Sequence, residues 1–360
     1  MYQFHEITTL HLEVTSQCNA SCPMCLRNVS GGKVNPHLPI TELRLDSIRN
    51  FFPEDFIRSL KRMYMCGNYG DPLVAKDTLE IFRYFRAVNP GIHLAMFTNG
   101  SARGPEWWRG LASVIDLCHF GVDGLGDTNH LYRRKTNFKK IMENAKAYID
   151  QGGNACWDFI VFAHNEHQLE AARALSEEMG FKKITFKKTG RFFSYSKAQV
   201  KEAQEVLNAD GSLDYEIFPP QNPKYYNDAL KSDAHIIEKY GSFDRYFDQA
   251  EIHCKVAEEK SLYVTAEGLV FPCCWVGLRL YPWYSKEKAD PVWKLIDQLE
   301  GGLEALSLAH HPMKDIVEGP FFQKVLPESW EKSSLSEGKL KVCAKTCGKK
   351  FDAFASQFKA

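Results

Sequence analysis

The chain has 360 residues, and its 45 basic and 45 acidic side chains balance to a formal net charge of zero. That balance argues against a general nucleic-acid binder, which carries a basic excess, while a hydrophobic fraction of 44% is ample for the core of two domains. No apolar stretch is long enough to cross a bilayer and residues 1–6 lack the basic start and apolar core of a signal peptide, so the expectation is a cytoplasmic protein with no nucleic-acid and no membrane partner.

From residue 8 to about 190, short β-rich runs alternate with amphipathic stretches. Strands are predicted at 10–14, 62–66, 93–97, 115–122, 157–162 and 184–187, and helices at 42–52, 76–88, 106–112, 138–149 and 166–179. Asn165 and Gln168 are spaced as a capping pair for the last helix. Repeated strand–helix units imply an α/β fold with a parallel sheet and right-handed crossovers. Six units make a partial (β/α)6 TIM-like barrel, with ligands at the C-terminal strand ends. Residues 191–253 are polar and aromatic, broken by Pro219-Pro220 and Asn222-Pro223, and read as a linker region with short helices. A small α+β domain follows over 254–360, with a hairpin at 261–265 and 269–272 and helices at 291–308 and 339–358.

Eleven cysteines in a chain without a signal peptide suit metal or redox use better than a disulfide frame. They are grouped. Cys18, Cys22 and Cys25 form a C-x3-C-x2-C triplet just after the first predicted strand, on the rim where such barrels bind ligands. Three thiolates at this spacing suit three irons of a [4Fe–4S] cube and leave the fourth open. A structural zinc site completed by a fourth ligand is the alternative. Cys66, Cys118 and Cys156 stand alone in predicted strands and read as core residues.

The run Glu13-Val14-Thr15-Ser16-Gln17-Cys18-Asn19-Ala20-Ser21-Cys22-Pro23-Met24-Cys25 resembles the radical S-adenosylmethionine (SAM) superfamily, with Met24 where many members carry an aromatic residue. Gly70-Asp71-Pro72-Leu73 resembles the family's Gly-Glu-Pro segment, which binds the SAM amino group; Asp71 reaches one methylene less far, and a plain turn explains the residues too. Thr98-Asn99-Gly100 matches a polar turn that contacts the SAM carboxylate or ribose. By the same resemblance, Asp123 at the end of the fourth strand suits a ribose hydroxyl, and Arg133, rather than Arg134, suits the SAM carboxylate by fork-to-fork pairing. His164 at the fifth strand's end reads equally as a rim residue or as a cap or core residue.

In the last third, Cys254, Gly268 and Cys273 are spaced as in the opening of the twitch and SPASM modules of radical SAM enzymes, with Cys343 and Cys347 following. The resemblance implies an auxiliary [4Fe–4S] cluster on Cys254, Cys273, Cys343 and Cys347; adjacent Cys274 stands outside the set unless it replaces a member, and zinc on the same sulfurs is the alternative. The cofactors implied are therefore two [4Fe–4S] clusters and SAM, which is cleaved reductively to a 5′-deoxyadenosyl radical that abstracts hydrogen from substrate. A low-potential donor, flavodoxin or ferredoxin, is implied as partner. Relatives with such modules modify ribosomally made peptides by crosslinking, epimerisation or backbone excision, or oxidise small molecules such as sugars and aminoglycosides. The aromatic 191–250 segment favours a peptide. The first strand begins by residue 8, so a peptide substrate calls for a separate leader-recognition protein. Lys182, Lys183, Lys187, Lys188 and Arg191 either meet an acidic leader or form a solvated face. A reading of another class is a zinc-binding or electron-transfer protein.

Overall fold

The computed structural model describes residues 1–194, 199–227 and 233–348. Six parallel strands follow one another in space as in sequence: β1 (Thr9–Leu12), β2 (Arg62–Cys66), β3 (His93–Thr98), β4 (Leu117–Gly121), β5 (Ala155–Ile160) and β6 (Lys183–Lys187). Each predicted strand is present, with ends shifted by up to two residues. This is the α/β architecture expected of a partial TIM-like barrel. Alternation along the strands explains the layering. Leu10, Leu12, Met63, Met65, Leu94, Met96, Cys118, Phe120, Trp157 and Phe159 are wholly buried. Each such large side chain contributes about 1.5–3 kcal/mol. His11, Tyr64, Phe97, His119, Asp158 and Lys187 alternate with them and face the other way, into the barrel's hollow.

Crossover helices occupy the expected places, at Leu45–Phe51, Thr78–Val88, Pro105–Ala112, Phe138–Asp150 and Leu169–Met179. An extra helix, Glu54–Ser59, starts after Pro53. Helix Leu169–Met179 ends on Gly180 at φ +84°, a left-handed position that suits glycine. The capping pair predicted for its start does not form. Asn165 instead spends its amide on the Asp123 and Ile160 carbonyls and accepts from Phe162 N–H. Gln168 accepts from Leu125 N–H and Thr128 and donates to Asp127. Both side chains bind rim loops, and residues 166–168 form a 3-10 turn.

The region read as a helical linker contains two hairpins: β7 (Phe193–Ser194) with β8 (Gln199–Val200), and β9 (Gln204–Leu207) with β10 (Leu213–Ile217). Val206 and Ile217 of the second pack in one apolar cluster with Ala20, Cys22 and Phe162, so this hairpin roofs the cysteine triplet. Helices Asp233–Tyr240 and Phe243–Asp248 follow.

The C-terminal hairpin, β11 (Ser261–Val264) and β12 (Val270–Phe271), does not stand apart. β11 lies parallel to β1, pairing Thr9 with Ser261 and Leu12 with Val264, and extends the barrel sheet to eight strands. The helix expected over 291–308 stops at Ile296; Gly301 and Gly302 both take positive φ, and a 3-10 turn Gly302–Leu306 follows. The last described helix is Lys341–Cys347; the remainder of the stretch predicted over 339–358 lies outside the described residues beyond 348. Among the described residues no helix is long and apolar enough to cross a membrane.

Candidate functional site

The triplet sits on the loop leaving β1. Cys25 N–H bonds the Cys22 carbonyl at 3.1 Å, closing a turn that sets the two sulfurs together. Cys18 Sγ accepts from Ala20 N–H at 3.3 Å and lies 3.8 Å from Asn99 Nδ2; Cys25 Sγ lies 3.8 Å from the Asn68 carbonyl. Burial pushes the Cys18 thiol up, and Asp71 and the two other cysteines add to it. Burial likewise pushes Cys22 up to about 11, with the Arg133 guanidinium opposing. All three are free thiols. Among the described residues no three His, Cys, Asp or Glu side chains converge on one point as a single metal ion requires.

A carboxylate that the sequence reading passed over builds the floor. Glu13, fully enclosed, accepts from Tyr69 N–H at 2.6 Å and Gly70 N–H at 3.0 Å, and from the Tyr263 hydroxyl on β11. It therefore ties β1 to the loop after β2 and to the C-terminal hairpin. A charged residue inside an apolar strand was the available signal. Gly70 packs where no side chain fits, since a Cβ there would lie 1.8 Å from the Thr15 carbonyl oxygen. Gly70→Ala is expected to cost at least about 1–3 kcal/mol through overpacking and to loosen the cysteine loop. A urea midpoint unchanged from the parent protein counts against this contact.

Asp71 is buried and fully engaged. It accepts from Thr98 Oγ1, Asn99 N–H, Asn99 Nδ2 and Leu73 N–H at 2.7, 2.8, 2.7 and 3.0 Å. Its carboxylate thus fixes the Thr98–Asn99 turn and keeps no open acceptor for an ammonium. Asn99 in turn reaches Asn19 at 2.9 Å beside Cys18. Asp123 has no exposed surface. It accepts from Ile160 N–H at 2.6 Å and pairs with Arg133 Nε at 2.5 Å, so it faces the guanidinium and not a ribose. The terminal nitrogens of Arg133 make no hydrogen bond among the described residues and lie against Gly121. Arg134 turns away to Asp214 and the Leu207 carbonyl on the β9–β10 hairpin. Asp123→Ala strands a buried cation and is expected to cost about 3–5 kcal/mol, whereas Asp214→Ala, at the exposed Arg134 pair, costs at most about 1 kcal/mol. Equal losses in chemical denaturation would contradict this ranking.

A profile of the Radical SAM superfamily matches residues 12–176. These residues carry the radical SAM superfamily domain. The GTP 3',8-cyclase of Pelotomaculum thermopropionicum is 26% identical over 285 residues, covering 76% of this chain and 82% of that protein. The structure of anSMEcpe with bound S-adenosylmethionine aligns over 98% of this chain and 91% of that one, with a TM-score of 0.54 and 15% identity. Streptococcus suis SuiB bound to its precursor peptide SuiA aligns over 98% of this chain and 76% of that one, at TM-score 0.52 and 12% identity. In the SuiB structure bound to S-adenosylmethionine, the matched part is 60% of that chain.

Within the radical SAM domain the hollow beneath the cysteine loop carries a second group the sequence reading missed. His119 Nδ1 lies 3.2 Å from Asp158 Oδ2, and Lys187 Nζ pairs with the same oxygen at 2.8 Å. His119 stacks on Phe97 with centroids 4.3 Å apart. Burial alone would raise Asp158, but the His119 and Lys187 contacts outweigh it and hold the carboxyl below its ordinary range. Cys66 is half-buried beside Lys187 and Glu13, so it faces this hollow and is not a plain core residue; Cys118 is one. Arg191 donates to the Met24 carbonyl at 3.0 Å and to Tyr132 Oη at 3.2 Å. Its surface is exposed. The basic run is therefore not one face: Lys182 and Lys183 are exposed where β6 begins, while Lys187 pairs with Asp158 at its other end and Arg191 reaches Met24 and Tyr132. His164 stacks on Phe162, with its Nε2 buried and unbonded.

On the far side of β11 and β12, Cys254, Cys273, Cys343 and Cys347 line a single cavity with Trp275 and Trp330. Each of the first three is pushed up by burial and then by its neighbouring cysteines, Cys254 to about 11 and Cys273 to about 12. Cys274 is not part of that lining and instead neighbours Cys66 and Glu13.

Proposed function

We propose that this radical SAM enzyme carries one SAM-binding [4Fe–4S] cluster on Cys18, Cys22 and Cys25 and one auxiliary cluster, of twitch type, on Cys254, Cys273, Cys343 and Cys347, and that it modifies a ribosomally made peptide. The observation that carries it is the pair of separate cysteine groups, three on the rim of the barrel and four around one cavity beside the hairpin. Cys18, Cys22 and Cys25 would hold the first cluster, which would supply SAM binding and the electron for its reductive cleavage to a 5′-deoxyadenosyl radical. The chain's own residues then divide the positioning work. Glu13 and Gly70 hold the 67–71 loop against the cysteines. Asp71 acts through Asn99, fixing it next to Cys18. Asp123 orients Arg133, whose terminal nitrogens suit the SAM carboxylate by a two-point contact.

The substrate enters the hollow lined by Phe97, His119, Asp158 and Lys187. Asp158 fixes the histidine ring through Nδ1 and leaves Nε2 toward the hollow, an arrangement suited to moving a proton. The likeness to SuiB bound to its precursor peptide supports a peptide substrate. The GTP 3',8-cyclase relative favours a second reading, a small-molecule substrate. A flavodoxin or ferredoxin serves as reductant. Co-expression with candidate peptides followed by mass spectrometry tests the substrate class: a changed mass or fragmentation pattern supports the peptide, and no change with any peptide turns the reading to a small molecule. A colourless protein that contains zinc and leaves SAM intact would overturn both.

A further inference from the structure

The four-cysteine cavity contains one polar group that the fold leaves unsatisfied. Trp330 ends the helix Leu326–Trp330 and lines the cavity together with the four sulfurs. Its indole Nε1 is buried and has no hydrogen-bond partner among the described residues. A buried donor without an acceptor is costly, so its retention needs an explanation. The group it faces is Cys343. The two line the same cavity, with the indole beside the Cys343 sulfur at a geometry short of a hydrogen bond. A neutral thiol is a weak acceptor; a metal-bound thiolate is a strong one.

We propose that Trp330 donates its Nε1–H to the Cys343 sulfur when a [4Fe–4S] cluster occupies the cavity, and thereby raises that cluster's reduction potential. The inference rests on the auxiliary-cluster reading. Reduction adds negative charge to the cluster, so a donor aimed at a ligand sulfur stabilises the reduced form more than the oxidised one. At Cys254 the facing donors are the main-chain N–H groups of Ala257 and Val256, and at Cys273 those of Val276 and Trp275. No side-chain substitution removes those. At Cys343 the donor is a side chain, which makes Trp330 a positioning residue through which the potential is set. A cluster that accepts an electron from a substrate radical needs that potential kept high.

Trp330→Phe keeps the aromatic body and deletes the N–H. The measurement is an anaerobic redox titration followed by electron paramagnetic resonance, in a background where Cys18, Cys22 and Cys25 are alanine so that only the auxiliary cluster remains. The expected result is unchanged iron and a midpoint moved negative, with the reduced-to-oxidised ratio at a fixed poise falling about tenfold, equivalent to about 59 mV for one electron. An unmoved midpoint with full iron overturns the role of Trp330. A background protein that holds zinc, or no metal, overturns the auxiliary cluster itself. Pulsed resonance on the protein with 15N-labelled indoles gives a second readout in case the Phe variant fails to hold iron. Coupling of an indole nitrogen to the reduced cluster supports the bond, and its absence overturns it.

Discussion

If the proposed pair of clusters is present, alanine at Cys18, Cys22 and Cys25 together is expected to abolish SAM cleavage by the dithionite-reduced protein and to remove about half of an iron content of about eight per chain. The loss is complete because these are the only thiols, among the described residues, in the apolar group under the β9–β10 roof: Cys22 is buried there with Cys18 and Cys25 packed alongside. No neighbouring side chain replaces them. Asp71 has spent its oxygens on Thr98, Asn99 and Leu73, and Asp123 is paired with Arg133. The checks are liquid chromatography for methionine and 5′-deoxyadenosine, and an iron assay. The iron that survives belongs to the cavity lined by the other four cysteines. A triple variant that kept all its iron would place the triplet outside any cluster.

Serine at Cys254, Cys343 or Cys347 has the opposite signature. On the proposed auxiliary cluster, SAM cleavage is expected to persist, uncoupled from product, while about half the iron is lost. The separation follows from the fold. The four cysteines meet in a cavity of their own with Ile252, Leu326 and Val342, and the Glu13 network that supports the triplet includes none of them. Cys274→Ala keeps its iron, because that sulfur belongs with Cys66 and Glu13 on the barrel side of the hairpin. Iron lost from the Cys274 variant and retained by the Cys273 variant would exchange the two in the ligand set.

Much of this was written in local sequence. The alternation of Leu10, Leu12 with His11 and of Met63, Met65 with Tyr64 states both the strand and its two faces, because side chains on a strand repeat every two residues. The spacing of Cys18, Cys22 and Cys25 likewise describes a loop that brings three sulfurs together whatever surrounds it. The capping reading at Asn165 failed for a different reason. A local partner was available, but main-chain groups of Asp123 and Ile160, brought up by the neighbouring strand ends, competed for the same amide and won. The hairpins at 193–217 were missed because short strands held by few bonds carry little periodicity, and the Pro219-Pro220 break beyond them drew attention to turns.

By itself, then, the sequence determined a parallel α/β barrel with a three-thiol loop on its rim and a second cysteine group near its end, since period and spacing are properties of adjacent residues. Only the tertiary structure decided which charges remain available. Asp71 and Asp123 look equally free in sequence, yet one is saturated by the β3 turn and the other by Arg133, while Asp158, passed over, meets His119 and Lys187. A carboxylate's role depends on the donors within about 3 Å of it, and in a parallel sheet those come from strands some tens of residues away, as does the β11 edge that closes beside β1.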